Sequence, residues 1–194
     1  MVWIIKKLKN VYRVIEYIVE NPELKIVILV ARWAANIEGG SYGVESNKPI
    51  KLVDTLSVET QSTSKDNVLV MTRALKRTIE KLVALNRKVV LMTQVPEVGY
   101  DVESVAFIAK KTSRQVNDLI APELESYINR NKRASELFEE IKDRVTVVEP
   151  YKILCDSKKC NVEQKSALLY KDDDHLSSYG AKQVSSIFDF AFRQ

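Results

Sequence analysis

Histidine occurs once in these 194 residues, cysteine twice, and glycine and proline only five times each. Two cysteines with one distant histidine make a poor zinc set. No phosphate-cradling glycine loop follows any of the strand-like runs, which argues against a nucleotide-binding fold. No stretch of about 18 apolar residues exists, so nothing in the sequence reads as a membrane-spanning helix. Lys6, Lys7, Lys9, Arg13 and Glu16 interrupt the apolar residues between Trp3 and Val19, and no export signal is expected in the sequence as written. The net charge of +4 is small. Lysines and arginines are interspersed with acids, without an arginine-rich run, so no nucleic-acid partner is expected.

What is present is an alternation of two apolar periods. Ile4, Ile5, Leu8, Val11, Tyr12, Ile15, Ile18 and Val19 recur at helical spacing and predict an amphipathic helix ending near Asn21-Pro22. The continuous runs Lys25–Ala31, Lys88–Thr93 and Val145–Val148 read as strands covered on both faces. Between them, Val68, Met71, Leu75, Ile79, Leu82 and Val83 predict a second helix opened by Ser64-Lys65-Asp66. A further helical stretch starts near Ser104, and Pro122 divides it or opens a new helix with the stripe Leu124, Tyr127, Ile128, Leu137, Phe138 and Ile141. A short helical turn at Tyr151–Leu154 and a last helix over Ser178–Phe192 complete the series. Residues 32–64 are polar and glycine-bearing, and read as a long excursion with a short strand pair near Ile50–Val58. The rhythm predicts one domain, a three-layer α/β/α sandwich around a parallel sheet. Sites in such sheets lie beyond the carboxyl ends of the strands. The chain also opens on a helix where a doubly wound sheet would have a strand, so the first strand is expected to be missing.

The one histidine stands in Asp172-Asp173-Asp174-His175-Leu176-Ser177, followed by Gly180-Ala181. Histidine is the usual general base near neutrality, and a carboxylate three residues earlier is placed to hold its ring in one tautomer. The plainer alternative is a solvated acidic turn that caps the last helix through Ser177 or Ser178. Cys155 and Cys160 are either two independent thiols or a short disulfide loop. Arg32 either contacts substrate or pairs with a carboxylate, and Trp33 either lines a site or fills the core.

Ile26–Trp33, Val95-Pro96-Glu97 after a strand, the cysteine pair, and Leu169–Ser177 with Gly180-Ala181 occur here in that order. Together they resemble the SGNH hydrolase-like domain fused to the carboxyl end of acyltransferase family three membrane proteins, which O-acylate bacterial surface polysaccharides such as lipopolysaccharide O-antigen or peptidoglycan. The resemblance implies that Asp172 is the triad acid and His175 the triad base, with Asp173 and Asp174 lying between them unmatched. It implies a Cys155–Cys160 disulfide, an extracytoplasmic or periplasmic location, an acyl-ester or polysaccharide substrate bound near Arg32, Trp33 and Asn36, a membrane acyltransferase domain as partner, and no cofactor or metal. The family's nucleophile, the serine of a Gly-Asp-Ser block after the first strand, has no counterpart in this sequence. Asn36 is the candidate oxyanion donor, although its offset departs from the family's Gly-x-Asn block. One SGNH-like domain over residues 1–194 is therefore expected, truncated at its amino end, with little or no esterase activity of its own. The alternative is a catalytically dead carbohydrate- or protein-binding module of the same fold.

Overall fold

The computed structural model describes residues 2–5, 11–44, 49–54 and 66–192. Four parallel strands run in the order β1 (Val2–Ile5), β2 (Ile26–Val30), β3 (Lys88–Met92), β4 (Thr146–Val148). The three interior apolar runs form strands because each is short, rich in β-branched residues and bounded by polar or proline-containing segments.

The amino end differs from the expected helix. Val2–Ile5 is a strand paired with β2, and the first helix, α1, spans Val11–Glu20. A strand therefore does precede α1, which corrects the expectation of a helix from Trp3 with no strand before it. Ile4 and Ile5 fit the helical stripe by spacing, but Val-Trp-Ile-Ile is equally a run of good strand formers. In α1, Ile15 and Ile18 are buried while Val19 is exposed.

The sheet is covered on both faces. Val27 and Leu29 of β2 and Val89 and Leu91 of β3 point to one side, where they meet Ile15 and Ile18 of α1. On the same side lie α2 (Trp33–Glu38), α3 (Asn67–Ala84) and α6 (Leu124–Ile141), through Trp33, Ile37, Met71, Leu75, Ile79, Leu82, Leu137 and Phe138. The alternate residues Ile28, Val90 and Val148 face the other side, against Ile187, Phe188 and Phe190. This is the period of two that a strand imposes when both faces are dry. In α3 the stripe is shifted from the expected one: Val70 is buried and Val83 exposed. In α6, Ile128 is exposed, and Asn131 and Ala134 occupy the inner face instead.

A second apolar cluster lies beyond the carboxyl ends of the strands. It joins α4 (Val102–Lys111), α5 (Val116–Ile120), α7 (Tyr151–Leu154), the hairpin β5 (Glu163–Gln164) and β6 (Ala167–Leu168), and α8 (Ser178–Val184) through Val102, Val116, Leu154, Val162, Tyr170 and Val184. The last helix is thus shorter than Ser178–Phe192: α8 gives way to a 3-10 turn at Ser185–Phe188 and then α9 (Asp189–Phe192). Cys155 and Cys160 are joined as a disulfide that closes the loop after α7.

The excursion after β2 contains α2, which its small and polar residues concealed. Residues 49–54 are irregular, so the strand pair expected near Ile50–Val58 is absent over Ile50–Asp54. The rest of that pair lies outside the described residues. Asn67 secures this segment. It is fully buried; its amide donates to the carbonyls of Asn36 (2.7 Å) and Ile50 (2.8 Å), and its Oδ1 accepts from the Leu52 amide (2.9 Å).

Candidate active site

Register places the carboxyl ends of β2, β3 and β4 side by side, because Val30 pairs with Met92 and Met92 with Val148. The chain leaving β2 delivers Arg32, the chain leaving β3 delivers Glu97, and a third loop, between β6 and α8, delivers His175. Backbone hydrogen bonds tie these loops together. The Val98 amide donates to the Asp173 carbonyl (2.7 Å), and the Val44 amide donates to the Gly99 carbonyl (3.1 Å). Gly43 and Gly99 touch there with positive φ (68° and 75°), and a Cβ on Gly43 would sit 2.2 Å from the Gly99 Cα. Only glycine permits that approach.

The histidine loop is a short closed turn. Tyr170 and Leu176 form a bridge, the Lys171 amide donates to the His175 carbonyl (2.8 Å), and the Ser177 amide donates to the Leu169 carbonyl (2.9 Å). Ser177 caps α8: its Oγ accepts from the Gly180 amide (3.0 Å) and donates to the Leu168 carbonyl (2.7 Å). Asp172 folds the turn from within, its Oδ1 accepting the amides of Asp174 (3.1 Å) and His175 (2.7 Å). This is the Asx geometry that makes aspartate a turn residue.

His175 Nδ1 lies 3.0 and 3.1 Å from the two carboxylate oxygens of Asp172. Asp174, unmatched in the sequence pattern, comes closer still, with Oδ1 2.7 Å from the same nitrogen. The two acids sit differently: the Asp172 side chain is 45% exposed and that of Asp174 only 4%. Asp174 Oδ2 lies 2.6 Å from Arg32 Nε. Arg32 Nη2 donates to Glu97 (3.2 Å), and Glu97 accepts from Arg130 Nε (3.1 Å). Arg130 also donates to the Gly40 carbonyl (2.7 Å) and lies over the Tyr42 ring. A chain of alternating charge thus runs from α6 through the three loops to the imidazole.

With Nδ1 held by carboxylates, Nε2 is the nitrogen left for proton exchange. Burial opposes ionisation of Asp172, but the two turn amides and the imidazole outweigh it and hold its carboxyl below the usual range. Asp174 goes the other way. Burial pushes its carboxyl up to about 6, against the lowering effects of Arg32 and His175 and with help from Asp173 and Asp172. A carboxyl raised in the folded state adds stability below its ordinary value of 3.8, and that contribution is lost as pH rises through about 6. The melting temperature of the wild type, measured against Asp174→Asn, is therefore expected to fall between about pH 4 and pH 6 and then level off. A difference that is flat across that window contradicts the burial of this charge.

Ligand atoms of Asp172, Asp174 and His175 lie within 4.8 Å of one another, the one such group of metal-donor type among the described residues. The same atoms already bond to each other, which is the use the geometry favours. Of the residues expected to bind substrate, Arg32 is a partner of carboxylates. Trp33 is core, which corrects its placement at the site. It is 3% exposed, donates from Nε1 to the Met92 carbonyl (2.8 Å) and meets Phe138 edge-on at 5.3 Å. The Asn36 amide nitrogen donates to the Arg32 carbonyl one turn back (2.7 Å), a local helical bond rather than a contact aimed at the histidine loop. Glu97, Arg130 and Asp174 were not singled out as paired groups, and nothing in their spacing could have paired them.

A family model for the SGNH domain that is fused to AT3 domains matches residues 6–190. The chain belongs to that family. In this SGNH domain Asp172 and His175 meet on the loop between β6 and α8. Among solved structures it is similar to the periplasmic domain of the lipopolysaccharide acetyltransferase of Salmonella ser. Paratyphi A, at 12% identity and a TM-score of 0.59, over 93% of this chain and 61% of that one. It is also similar to a GDSL-like lipase from Bacteroides thetaiotaomicron, at 13% identity and a TM-score of 0.45, over 93% of this chain and 69% of that one. At these identities the likeness concerns the fold, and the chain spans 61% of the length of the acetyltransferase domain. No curated protein matches it. Among the described residues no helix is long and apolar enough to cross a membrane.

Proposed function

We propose that this SGNH domain moves acyl groups to or from the hydroxyls of a bacterial surface polysaccharide, on the periplasmic side of the inner membrane, alongside a membrane acyltransferase domain. The observation that carries this reading is the imidazole of His175, held at Nδ1 by carboxylates beyond the carboxyl ends of a parallel sheet. The Cys155–Cys160 disulfide supports an oxidising compartment. In the proposed reaction His175 Nε2 takes the proton of a serine hydroxyl as its oxygen attacks the acyl carbonyl. The same proton then passes to the departing sugar oxygen as the ester C–O bond breaks. An acceptor hydroxyl, deprotonated by the same nitrogen, then attacks the acyl carbonyl, and the proton returns to the serine oxygen as the acyl–serine bond breaks. Asp172 orients the ring and stabilises its charged form.

The serine is the part this sequence does not supply. It holds no Gly-Asp-Ser, and the residues after β1, Lys6-Lys7-Leu8-Lys9-Asn10, contain no hydroxyl or thiol. The isolated chain is therefore expected to release acetate from an aryl ester no faster than His175→Ala does. With a Gly-Asp-Ser block written into residues 6–10, directly after β1, it should gain turnover, and His175→Ala should then remove it by about 10²–10⁴-fold. Turnover by the unaltered chain that disappears in His175→Ala overturns the absence of a nucleophile. A serine-bearing variant that folds and stays inactive on acylated polysaccharide and aryl esters alike overturns the rest. The missing block also favours a second reading, a binding module for carbohydrate or protein, which predicts polysaccharide binding by the isolated chain that survives His175→Ala.

A further inference from the structure

Among the side chains described, three aromatic rings stand well exposed: Tyr17, Tyr100 and Phe107. Tyr17 belongs to α1, which leads into the start of β2, at the opposite end of the sheet from His175. Phe107 has one face taken by Lys111, whose Nζ lies 4.3 Å from the ring centroid. Tyr100 differs from both. It directly follows the buried residues 96–99 and is itself 51% exposed.

The backbone of Tyr100 is fixed on both sides. Before it, Gly99 presses on Gly43 and accepts the Val44 amide (3.1 Å). After it, Asp101 caps α4 by accepting the Ser104 amide (2.8 Å). Two residues earlier, the Val98 amide bonds to the Asp173 carbonyl (2.7 Å), and Asp173 is two residues from His175. The ring therefore stands on a braced ledge beside the histidine loop. Val44, 65% exposed, flanks it across the Val44–Gly99 hydrogen bond. Apolar area held in place before a ligand arrives costs little ordering on binding.

The neighbouring charges narrow the ligand. Asp101 and Glu103 follow the ring and are exposed, and the Asp172 side chain on the adjoining loop is 45% exposed. Carboxylates so placed repel an anion and accept hydrogen bonds from hydroxyls. A pyranose ring offers both complements. Its C–H face is flat and apolar and can cover an aromatic ring, while its hydroxyls project from the rim.

We propose that Tyr100, flanked by Val44, is a stacking platform for a neutral pyranose unit, next along the polysaccharide from the unit whose hydroxyl meets His175. The inference rests on the polysaccharide reading above, and it adds the face that takes the sugar.

Saturation-transfer NMR tests this without turnover. The probes are a neutral O-antigen polysaccharide freed of lipid and a β-linked tetramer of N-acetylglucosamine. Saturating the protein should reach the ring C–H protons of at least one of them. Tyr100→Ala is expected to weaken that binding about fivefold, and Tyr100→Phe to keep it. Tyr100 is exposed, so both variants should melt with the wild type. A polyuronate of similar length should bind more weakly than the neutral glycans. The platform is overturned if neither glycan binds at millimolar concentration, or if Tyr100→Ala binds as the wild type does. Equal losses in Tyr100→Ala and Tyr100→Phe would assign the contact to the phenol hydroxyl and overturn stacking. Tighter binding of the polyuronate overturns the neutral ligand. Acyl transfer is measured separately in the serine-bearing variant. Binding that depends on Tyr100 in a variant without activity supports the platform and counts against acyl transfer. Turnover of an aryl ester without such binding does the reverse.

Discussion

Glu97→Ala is expected to cost about 3 kcal/mol of folding stability, the low end for removing one partner of a buried ion pair. The Glu97 side chain is 3% exposed and carries Arg32 on one oxygen and Arg130 on the other. Alanine would leave two guanidinium groups facing each other, with Arg32 32% and Arg130 19% exposed, so water screens part of the repulsion. Each keeps a second anchor, Arg32 on Asp174 and Arg130 on the Gly40 carbonyl, which is why the low end applies. Glu97→Gln retains an acceptor but loses the charge, and its cost should fall between alanine and wild type. The exposed pair Lys76–Glu140, at 2.7 Å, provides the contrast. Lys76→Ala is expected to change stability by no more than about 0.5 kcal/mol, because water already screens both charges. Urea unfolding of the three variants decides the matter. If Glu97→Ala costs no more than Lys76→Ala, the charge chain does not hold the loops.

That contrast also explains which parts of the molecule could be read from its residues. β2, β3 and β4 were legible because a strand buried on both faces must be a short continuous apolar run, and Ile26–Val30 and Lys88–Met92 have no other use. The start of α6 was legible from Pro122, and the cap of α8 from Ser177. Val2–Ile5 was not, since four apolar residues satisfy a helical stripe and a strand equally well; pairing with β2 decides between them. Helix α2 was hidden for the opposite reason. Its buried face is Trp33, Ala34, Ala35 and Ile37, too small and too short to show a period.

The candidate site divides along the same line. Asp172 and His175 are three residues apart, so a local turn brings them together and spacing alone suggests the contact. Arg32, Glu97, Arg130 and Asp174 are spread over more than a hundred residues. Each looks in sequence like one more surface charge, and only the level ends of β2 and β3 and the approach of α6 bring them into one chain. Asn67 shows the same effect on the structural side. A polar residue at the start of a helix reads as a solvent-facing cap, yet it is fully buried and holds the excursion through three hydrogen bonds.

Gly180→Ala is expected to cost about 3 kcal/mol and to disturb His175 from five residues away. Gly180 is buried in the first turn of α8, where the helix presses on the chain leaving β6. A Cβ there would lie 1.9 Å from the Leu169 carbonyl oxygen and 2.8 Å from its carbon. No rotamer change relieves a clash with backbone, so the helix or the strand must move, and overpacking of this kind falls at the upper end of its usual cost. The carbonyl that must yield is the one that accepts the Ser177 amide, and Leu168 beside it accepts the Ser177 hydroxyl. Moving it loosens the cap of α8 and, through the Tyr170–Leu176 bridge, the turn that carries Asp172, Asp174 and His175. Gly40→Ala is the matching control, because a Cβ at Gly40 meets nothing within 4 Å and its backbone is not left-handed. It is expected to be neutral within about 0.5 kcal/mol. Thermal unfolding gives the stability difference, and the His175 imidazole resonance shows whether the turn has shifted. A Gly180→Ala protein as stable as the Gly40→Ala control, with an unmoved His175 signal, would mean that α8 does not brace the histidine turn.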